Sequence, residues 1–362
     1  MDFKKYNLIL LIPLGAVFLT LYILALTLEP IDGDLTRTGP YPESEFGWNL
    51  PQDKFEKDLY TIAESNTYDR YFDVAIVGDS YSTMEFTYQW QNYLTQLTGW
   101  SSITYNIHRT NIDQLIAGEG FQKHPPKLFI WEFVERSISL APHYNASHCQ
   151  PSTSRPPAPV ANGPVPAAVT PLERDRTISF FNPNFNESSY FLKYFLRGLF
   201  VDPLGKHARV IRLPLKTQGL FSSKNDREIL LYNRDFWKVQ RFREEFVGRR
   251  QCYIAHLQNQ VQQNGKTFFI ALAVPDKTTA YEDHIEFQDI KNINLLKLLD
   301  TDPRLQILNL DHAFKAKIKE GVKDLYPPNE THWGSRGHRL VTETLIQYLE
   351  KWRDKKLPPL GG

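Results

Sequence analysis

VAIVGDSYSTMEF, residues 74–86, runs from four apolar residues into a polar turn that begins at Gly78. The apolar run predicts a short buried strand, and the polar residues after it are typical of the start of a helix. A serine on such a turn presents its hydroxyl at the edge of a sheet, beside the free N–H groups of the helix. Ser80 is therefore either a nucleophile or part of an ordinary helix cap. We assign Gly78 and Asp79 to the turn and the cap.

Strands and helices alternate on both sides of this stretch. Before residue 140 the sequence predicts a helix over 83–100 that ends at Gly99, a strand over 101–108, a helix over 111–124 and a strand over 125–133. In the last third it predicts a helix over 243–265, a strand over 266–277, a helix over 292–302, a strand over 304–311 and a helix over 335–352. This alternation predicts an α/β fold of three layers, a parallel sheet flanked by helices.

The predicted sheet is interrupted in the middle of the chain. Residues 148–171 are rich in Pro, Ala and Ser, which favours an irregular excursion, and the following basic, aromatic region contains two predicted helices, over 188–200 and 235–250. We therefore divide the chain into an anchor, a lead-in, two parts of one core that flank an insertion, and a tail. Their bounds are 1–30 (anchor), 31–70 (lead-in), 71–140 and 251–355 (core), 141–250 (insertion) and 356–362 (tail).

The N-terminus predicts a membrane anchor. Lys4 and Lys5 precede an uncharged apolar run over residues 8–28, close to the ~20 residues that a helix needs to cross a lipid bilayer. Acidic residues follow the run, so the positive-inside rule predicts a cytoplasmic N-terminus and an extracytoplasmic main domain. A cleaved signal peptide is the alternative, although its apolar region is normally shorter. We expect a single-pass protein of the inner membrane with a periplasmic domain.

The composition argues against several classes of protein. The formal net charge is +1, and the sequence contains no zinc-type Cys/His cluster, no Walker-type glycine loop and no dinucleotide fingerprint. We therefore predict no nucleic-acid partner, no metal and no bound cofactor. The two cysteines, Cys149 and Cys252, either pair in an oxidising compartment or are buried thiols.

A second candidate site lies near the C-terminus, in YPPNETHWGSRGH, residues 326–338. His332 stands just before the predicted final helix, and Glu330 precedes it by two residues. A histidine beside a helix start is often only a capping or solvent-facing residue. However, serine is a weak nucleophile without a base, and a carboxylate on the same loop can orient an imidazole and fix its tautomer. We therefore predict Ser80 as nucleophile, His332 as general base and Glu330 as the orienting acid.

Four short blocks of the sequence support that assignment together. They are GDSYS (78–82), WEFVER (131–136), AVPDKTTAY (273–281) and LYPPNETHWGSRG (325–337). In combination they resemble the SGNH, or GDSL-type, esterase superfamily, and most closely its alginate O-acetyltransferase-like branch. The resemblance implies an SGNH or flavodoxin-like parallel sheet and a catalytic pair of Ser80 and His332.

The chain departs from that branch in the order and identity of its blocks. The serine block precedes the histidine block, which implies a cyclic reordering of the same sheet. Ordinary SGNH esterases and the D-alanine-transfer protein of teichoic acid synthesis share this order. Glu330 stands where the branch has Asp, and its extra methylene shifts the geometry. Asn329 occupies the usual superfamily Asp position and cannot carry the charge.

The oxyanion donors of the superfamily are replaced in this chain. We assign three candidate donors: the backbone N–H of Ser80, Asn111 in the segment after the second predicted strand, and Arg136 in the block WEFVER. An alternative role for Arg136 is a structural ion pair with Glu132 or Glu135.

From this resemblance and the predicted anchor we expect a membrane-anchored, extracytoplasmic O-acetyltransferase that acts on a cell-surface or exported polysaccharide through an acyl-serine intermediate. A membrane-bound O-acyltransferase partner would supply the acetyl group, so that the chain itself needs no cofactor. Three alternatives remain open. The same triad would make a polysaccharide acetyl-esterase if water entered; the scaffold could be a non-catalytic assembly or glycan-binding protein; and the acyl group could be D-alanyl.

Overall fold

A computed structural model of the chain describes residues 3–140, 151, 156–178, 188–197, 209–286, 294–299 and 301–354. Within these residues the strands are β1 (Gln52–Phe55), β2 (Thr61–Ile62), β3 (Val74–Gly78), β4 (Ser102–Asn106), β5 (Leu128–Val134), β6 (Val169–Leu172), β7 (Val210–Pro214), β8 (Glu228–Tyr232), β9 (Phe268–Val274) and β10 (Ile307–Asn309). The α-helices are α1 (Phe3–Thr27), α2 (Asp34–Thr38), α3 (Glu43–Phe46), α4 (Ser80–Thr83), α5 (Trp90–Thr98), α6 (Ile112–Ala117), α7 (Glu119–Lys123), α8 (Ser188–Leu196), α9 (Asn233–Arg241), α10 (Glu244–Gln262), α11 (Lys277–Ala280), α12 (Asp311–Lys319) and α13 (Ser335–Asp354).

Six strands form one parallel sheet in the order β2-β4-β3-β5-β9-β10. Every residue of β3, β5 and β9 is buried, since helices cover both faces, and apart from Glu132 in β5 these strands have the continuous apolar sequences that such burial favours. The predicted α/β fold with a parallel sheet flanked by helices is therefore confirmed. The chain passes from β3 to β4 on one side and then to β5 on the other. This reversal places the topological switch point, where ligands bind in open α/β sheets, at the carboxyl end of β3.

Two apolar clusters hold the three layers together. On one face of the sheet, α5, α12 and α13 contribute buried side chains such as Leu94 and Leu345. On the other face, α6, α7 and α10 contribute side chains such as Phe121 and Leu257. Full burial of one such side chain stabilises the fold by about 1.5–3 kcal/mol, so the clusters account for the close packing of helices on the sheet.

The predicted insertion supplies elements that pack on the core. β6 pairs with β1 of the lead-in, and β7 pairs with β8, both antiparallel. α9 packs against the 3₁₀ turn Glu135–Leu140 that follows β5. The helix predicted over 235–250 is wrong as a single element, because Phe242 and Arg243 have extended backbone angles that separate α9 from α10.

Two other predicted helices also differ from the structure. The segment 111–124 forms α6 and α7, which are separated at Gly118, where the backbone is extended. The segment 292–302 forms only a 3₁₀ turn, Leu296–Leu298, in its described residues. There the Asn294 side chain accepts the N–H groups of the next turn, and such local bonds compete with a helix. A third, predicted over 83–100, ends at Gly99 as predicted, in the left-handed conformation, but it begins at Trp90 rather than at residue 83.

α1 is a 25-residue helix with a mean hydropathy of 2.6 over its most apolar part. It is long and apolar enough to span a membrane, and a signal sequence would share these properties. Its C-terminal end packs on α8 through Ala25 and Tyr190. Of the two cysteines, Cys252 on α10 is buried and disulfide-bonded. Cys149 lies outside the described residues.

Candidate active site

Ser80 follows Asp79, which fixes the turn at the carboxyl end of β3. Asp79 is the N-cap of α4: its Oδ1 accepts the N–H of Tyr81 at 3.0 Å, and its Oδ2 accepts the N–H of Val134 at 3.2 Å. One carboxylate therefore caps α4 and joins the ends of β3 and β5. Gly78 is needed just before it, because a Cβ there would lie 2.5 Å from Glu132 Oε2.

His332 lies between Ser80 and Glu330. Its Nε2 is 2.9 Å from Ser80 Oγ, and its Nδ1 is 2.7 Å from Glu330 Oε1. The Tyr81 hydroxyl donates to the Thr331 carbonyl at 2.9 Å, which holds α4 against the histidine loop. The fold thus brings the three predicted residues into one hydrogen-bonded chain, although Ser80 and His332 are 252 positions apart in the sequence.

Glu330 and His332 are both less than one tenth exposed. Burial alone would raise the pKa of Glu330, but the hydrogen bond and charge of His332 outweigh it and lower this pKa below 4.5. Burial alone would lower the pKa of His332, but the hydrogen bond and charge of Glu330 outweigh it and raise this pKa above 6.5. An ionised Glu330 therefore favours the imidazolium that a general base becomes during proton transfer.

The candidate oxyanion donors are placed differently from one another. Ser80 is the first residue of α4, a position whose N–H has no acceptor within a helix. Asn111 is the N-cap of α6, and its Oδ1 accepts the N–H of Gln114 at 3.1 Å. It is not among the described residues that line the cavity beside Ser80, whereas His108, from the segment just before it, is. The structure thus provides no contact in favour of Asn111.

Arg136 lies in a buried ion network. Its Nη1 is 2.8 Å from Asp276 Oδ1 and 3.1 Å from Asp235 Oδ1, so these two carboxylates, rather than Glu132 or Glu135, are its ion-pair partners in the described residues. The predicted partner was therefore wrong. Asp235 lies on α9, which the periodicity of the sequence could not place beside β5.

The ion network also fixes α9. Lys238 of this helix is fully buried, and its Nζ is 2.6 Å from Glu135 Oε2 and 3.0 Å from Asp276 Oδ2. Breaking a buried ion pair typically destabilises a protein by about 3–5 kcal/mol, because one charge is left uncompensated. α9 is therefore held firmly beside the carboxyl ends of β5 and β9, next to Ser80.

α9 forms one wall of a cavity of about 300 Å³ that opens at Ser80. Two exposed arginines of α9, Arg234 and Arg241, line this cavity, and neither forms an ion pair within the described residues. Its other lining residues are Asp79, His108, Val134, Arg136, Ser137, Tyr232 and Lys238. The cavity is thus accessible to solvent and predominantly basic.

Lys277, at the start of α11, is a residue of the site that the sequence reasoning missed. Its Nζ donates to the carbonyls of Pro327, Pro328 and Glu330 at 2.8, 3.0 and 3.1 Å. Burial lowers the pKa of Lys277 to about 7. The side chain holds the loop that carries Glu330 and His332. Its position in the block AVPDKTTAY was the available signal.

Asp34, Glu330 and His332 could in principle hold a metal ion, since each offers one ligand atom and these atoms lie within 4.8 Å of one another. Hydrogen bonds already engage these atoms: Glu330 Oε1 accepts from His332, and both Asp34 oxygens accept from Thr331. We therefore interpret the group as part of a hydrogen-bonded acid–base arrangement.

Comparison of the chain with protein-family models, curated proteins and solved structures finds no match. Assignment to the SGNH superfamily therefore rests on the four sequence blocks and remains a proposal.

Proposed function

We propose that the chain is an SGNH-type serine O-acetyltransferase, anchored by α1, with its N-terminus in the cytoplasm and its main domain in the periplasm. The observation that carries the proposal is the hydrogen-bonded chain from Ser80 through His332 to Glu330 at the switch point of the sheet. Nucleophile, base and orienting acid in this order are the arrangement that serine acyl transfer requires.

In the proposed reaction Ser80 Oγ attacks the carbonyl carbon of an acyl donor while His332 Nε2 accepts the hydroxyl proton of Ser80. The Ser80 N–H stabilises the oxyanion, and Glu330 stabilises the imidazolium. The bond to the leaving group then breaks, and His332 returns the proton to that group. In the second half, a sugar hydroxyl loses its proton to His332 and attacks the acyl carbon of the acyl-serine. The bond from that carbon to Ser80 Oγ then breaks, and His332 returns the proton to Ser80 Oγ as the acylated sugar leaves.

The acceptor that best fits the site is a polysaccharide with acidic groups. Arg234 and Arg241 present positive charge beside Ser80, and a basic cleft favours approach of an anionic chain. The anchor suits an acetyl donor supplied by a membrane-bound O-acyltransferase partner. Water in place of the sugar hydroxyl would give the second candidate function, a polysaccharide acetyl-esterase, because the same exposed cavity admits both acceptors.

The test uses the full chain in detergent micelles and a small chromogenic acetyl ester. We expect turnover that Ser80→Ala lowers by at least about 10³-fold, the scale of losing a triad nucleophile. Ser65→Ala is the matched control, because it removes an exposed hydroxyl that is hydrogen-bonded to Thr67.

Acetylated oligosaccharide would then distinguish transfer from simple release of acetate. Equal background rates in wild type and Ser80→Ala would instead favour a non-catalytic assembly or glycan-binding protein. Preference for a D-alanyl ester over the acetyl ester would change the assigned acyl group.

A further inference from the structure

The segment that follows α1 reaches the histidine loop directly. Glu29 pairs with Arg174 at 2.6 Å, and four residues later the N–H of Gly33 donates to Glu43 Oε1 at 3.0 Å. The N–H of Leu35 donates to the Asn329 carbonyl at 3.0 Å. The backbone is so close there that a Cβ at Gly33 would collide with Asn329. The start of the lead-in is therefore packed against the loop that carries Glu330 and His332.

Asp34 contacts two consecutive residues of that loop. Its backbone N–H donates to Glu330 Oε2 at 3.1 Å, which leaves Oε1 directed at His332. Its own carboxylate accepts the N–H of Thr331 at 2.8 Å and the Thr331 hydroxyl at 2.6 Å. Three hydrogen bonds from Asp34 thus hold Glu330 and Thr331, the two residues that directly precede His332.

The charge of Asp34 also acts on the site. Burial, and then the charge of Glu330, raise the pKa of Asp34 to about 7. His332 and Lys277 are the cationic groups that interact with it. In its charged form Asp34 raises the pKa of His332.

We propose that Asp34 is a positioning residue of the active site, which holds Glu330 and His332 in register from the segment that leaves the membrane. The proposal rests on the proposed serine mechanism. It makes the start of α2, directly after the stretch that follows α1, part of the machinery around Ser80. A soluble fragment that began at residue 35 would lack this contact.

The experiment compares wild type, Asp34→Ala and Asp34→Asn as full chains in detergent, with the chromogenic ester. Asp34→Ala removes both side-chain bonds to Thr331, and we expect kcat to fall by about 100-fold, the effect of misplacing a catalytic group by about 1 Å. Asp34→Asn can still accept from the Thr331 N–H and donate to its hydroxyl, so we expect it to recover most of kcat. Asp69→Ala, at an exposed carboxylate, is the control.

The pH profile adds a readout that general destabilisation would not move. Because Asp34→Asn removes a charge that raises the pKa of His332, its acid limb should move to lower pH. If Asp34→Ala does not fold, Asp34→Ser takes its place, since its single oxygen cannot replace both carboxylate oxygens that accept from Thr331, and a kcat within about twofold of wild type then overturns the proposal. A folded Asp34→Ala with kcat within about twofold of wild type, or an Asp34→Asn as inactive as Asp34→Ala, also overturns it. An active Ser80→Ala would instead overturn the proposed function itself.

Discussion

Glu330 is hydrogen-bonded to His332 in the place where the superfamily that the chain resembles usually has a shorter acid. The neighbouring Asn329 is buried, and its Nδ2 donates to Glu43 Oε2 at 2.9 Å, away from the histidine. Glu330 reaches His332 from two positions earlier on the same loop, and its second oxygen is held by Asp34. The extra methylene is thus accommodated because the carboxylate is bound on both sides.

Glu330→Gln tests this arrangement at the scale of one residue. The amide keeps the size of the side chain but removes the charge that raises the pKa of His332. The amide can also stabilise the wrong tautomer of the imidazole. We expect kcat for the ester to fall by about 10³–10⁴-fold. The residual activity should persist to lower pH than in wild type, since the general base must be neutral to act.

A pH–rate profile of purified Glu330→Gln gives both quantities. Glu64→Gln, which changes an exposed carboxylate in the same way, should match wild type. An unaltered acid limb in Glu330→Gln would show that another acid orients His332.

The junction of β3, α4 and β5 depends on a buried carboxyl group. Glu132 of β5 accepts the N–H of Asp79 at 2.8 Å and the hydroxyl of Ser82 at 3.0 Å through Oε2. Its Oε1 has no hydrogen-bond partner in the described part of the chain. Burial, followed by the charge of Asp79, raises the pKa of Glu132 well above 4.5. Folding therefore favours the neutral form of this group, which suits an apolar sheet better than an ionised one.

Glu132→Gln should therefore gain stability relative to wild type as pH rises. An acid whose pKa is raised by folding contributes stability below its unfolded pKa and loses it as pH rises toward the folded value. Glutamine is neutral throughout and can make the same two hydrogen bonds. We expect the Tm of Glu132→Gln minus that of wild type to increase between pH 5 and pH 8.

Thermal unfolding of both full chains at the two pH values measures this difference. Glu132→Ala should be less stable than wild type at both, because the donors of Asp79 and Ser82 lose their acceptor. If the Tm of Glu132→Gln minus that of wild type is constant or decreases with pH, folding does not favour the neutral form of Glu132.

At the scale of the whole molecule, three distant parts of the chain meet at Ser80. The lead-in supplies Asp34, the insertion supplies the basic helix α9, and the second part of the core supplies His332. The net charge of +1 is therefore a poor guide to the site, where Arg234 and Arg241 concentrate positive charge. An acidic acceptor would respond to this local field rather than to the overall charge.

The variant Arg234→Gln/Arg241→Gln should bind an acidic oligosaccharide acceptor more weakly. Removing two cationic contacts should raise KM for that acceptor by about tenfold, with a smaller effect on the small neutral ester. The increase in KM relative to wild type should be smaller at high salt, since exposed charges are screened there. Transfer kinetics at two ionic strengths measure this change in KM, with Arg70→Gln, at an exposed arginine four residues before β3, as control. An unchanged KM would exclude the acidic acceptor.

Much of the framework could be predicted from sequence, because its determinants are local. β3 and β9 are continuous apolar runs, β5 is interrupted only by Glu132, α1 contains a long uncharged run, and α5 ends at a glycine. Ser80 on a strand-to-helix turn, and Glu330 and His332 on one loop, are local features that predict the candidate set from sequence. Helix boundaries were harder, since the segments 111–124 and 235–250 have enough helical residues but are divided by extended backbone.

Only the tertiary structure decided which polar groups surround Ser80, His332 and Glu330. Asp34 and Glu330 are 296 positions apart, and Lys277 and Glu330 are 53 apart, so no local pattern could relate them. Hydrophobic periodicity reports which face of an element is buried, but it carries no information about the partner of a buried charge. Burial of a polar group is tolerated only where a partner satisfies it, and the complete fold alone determines where each partner lies.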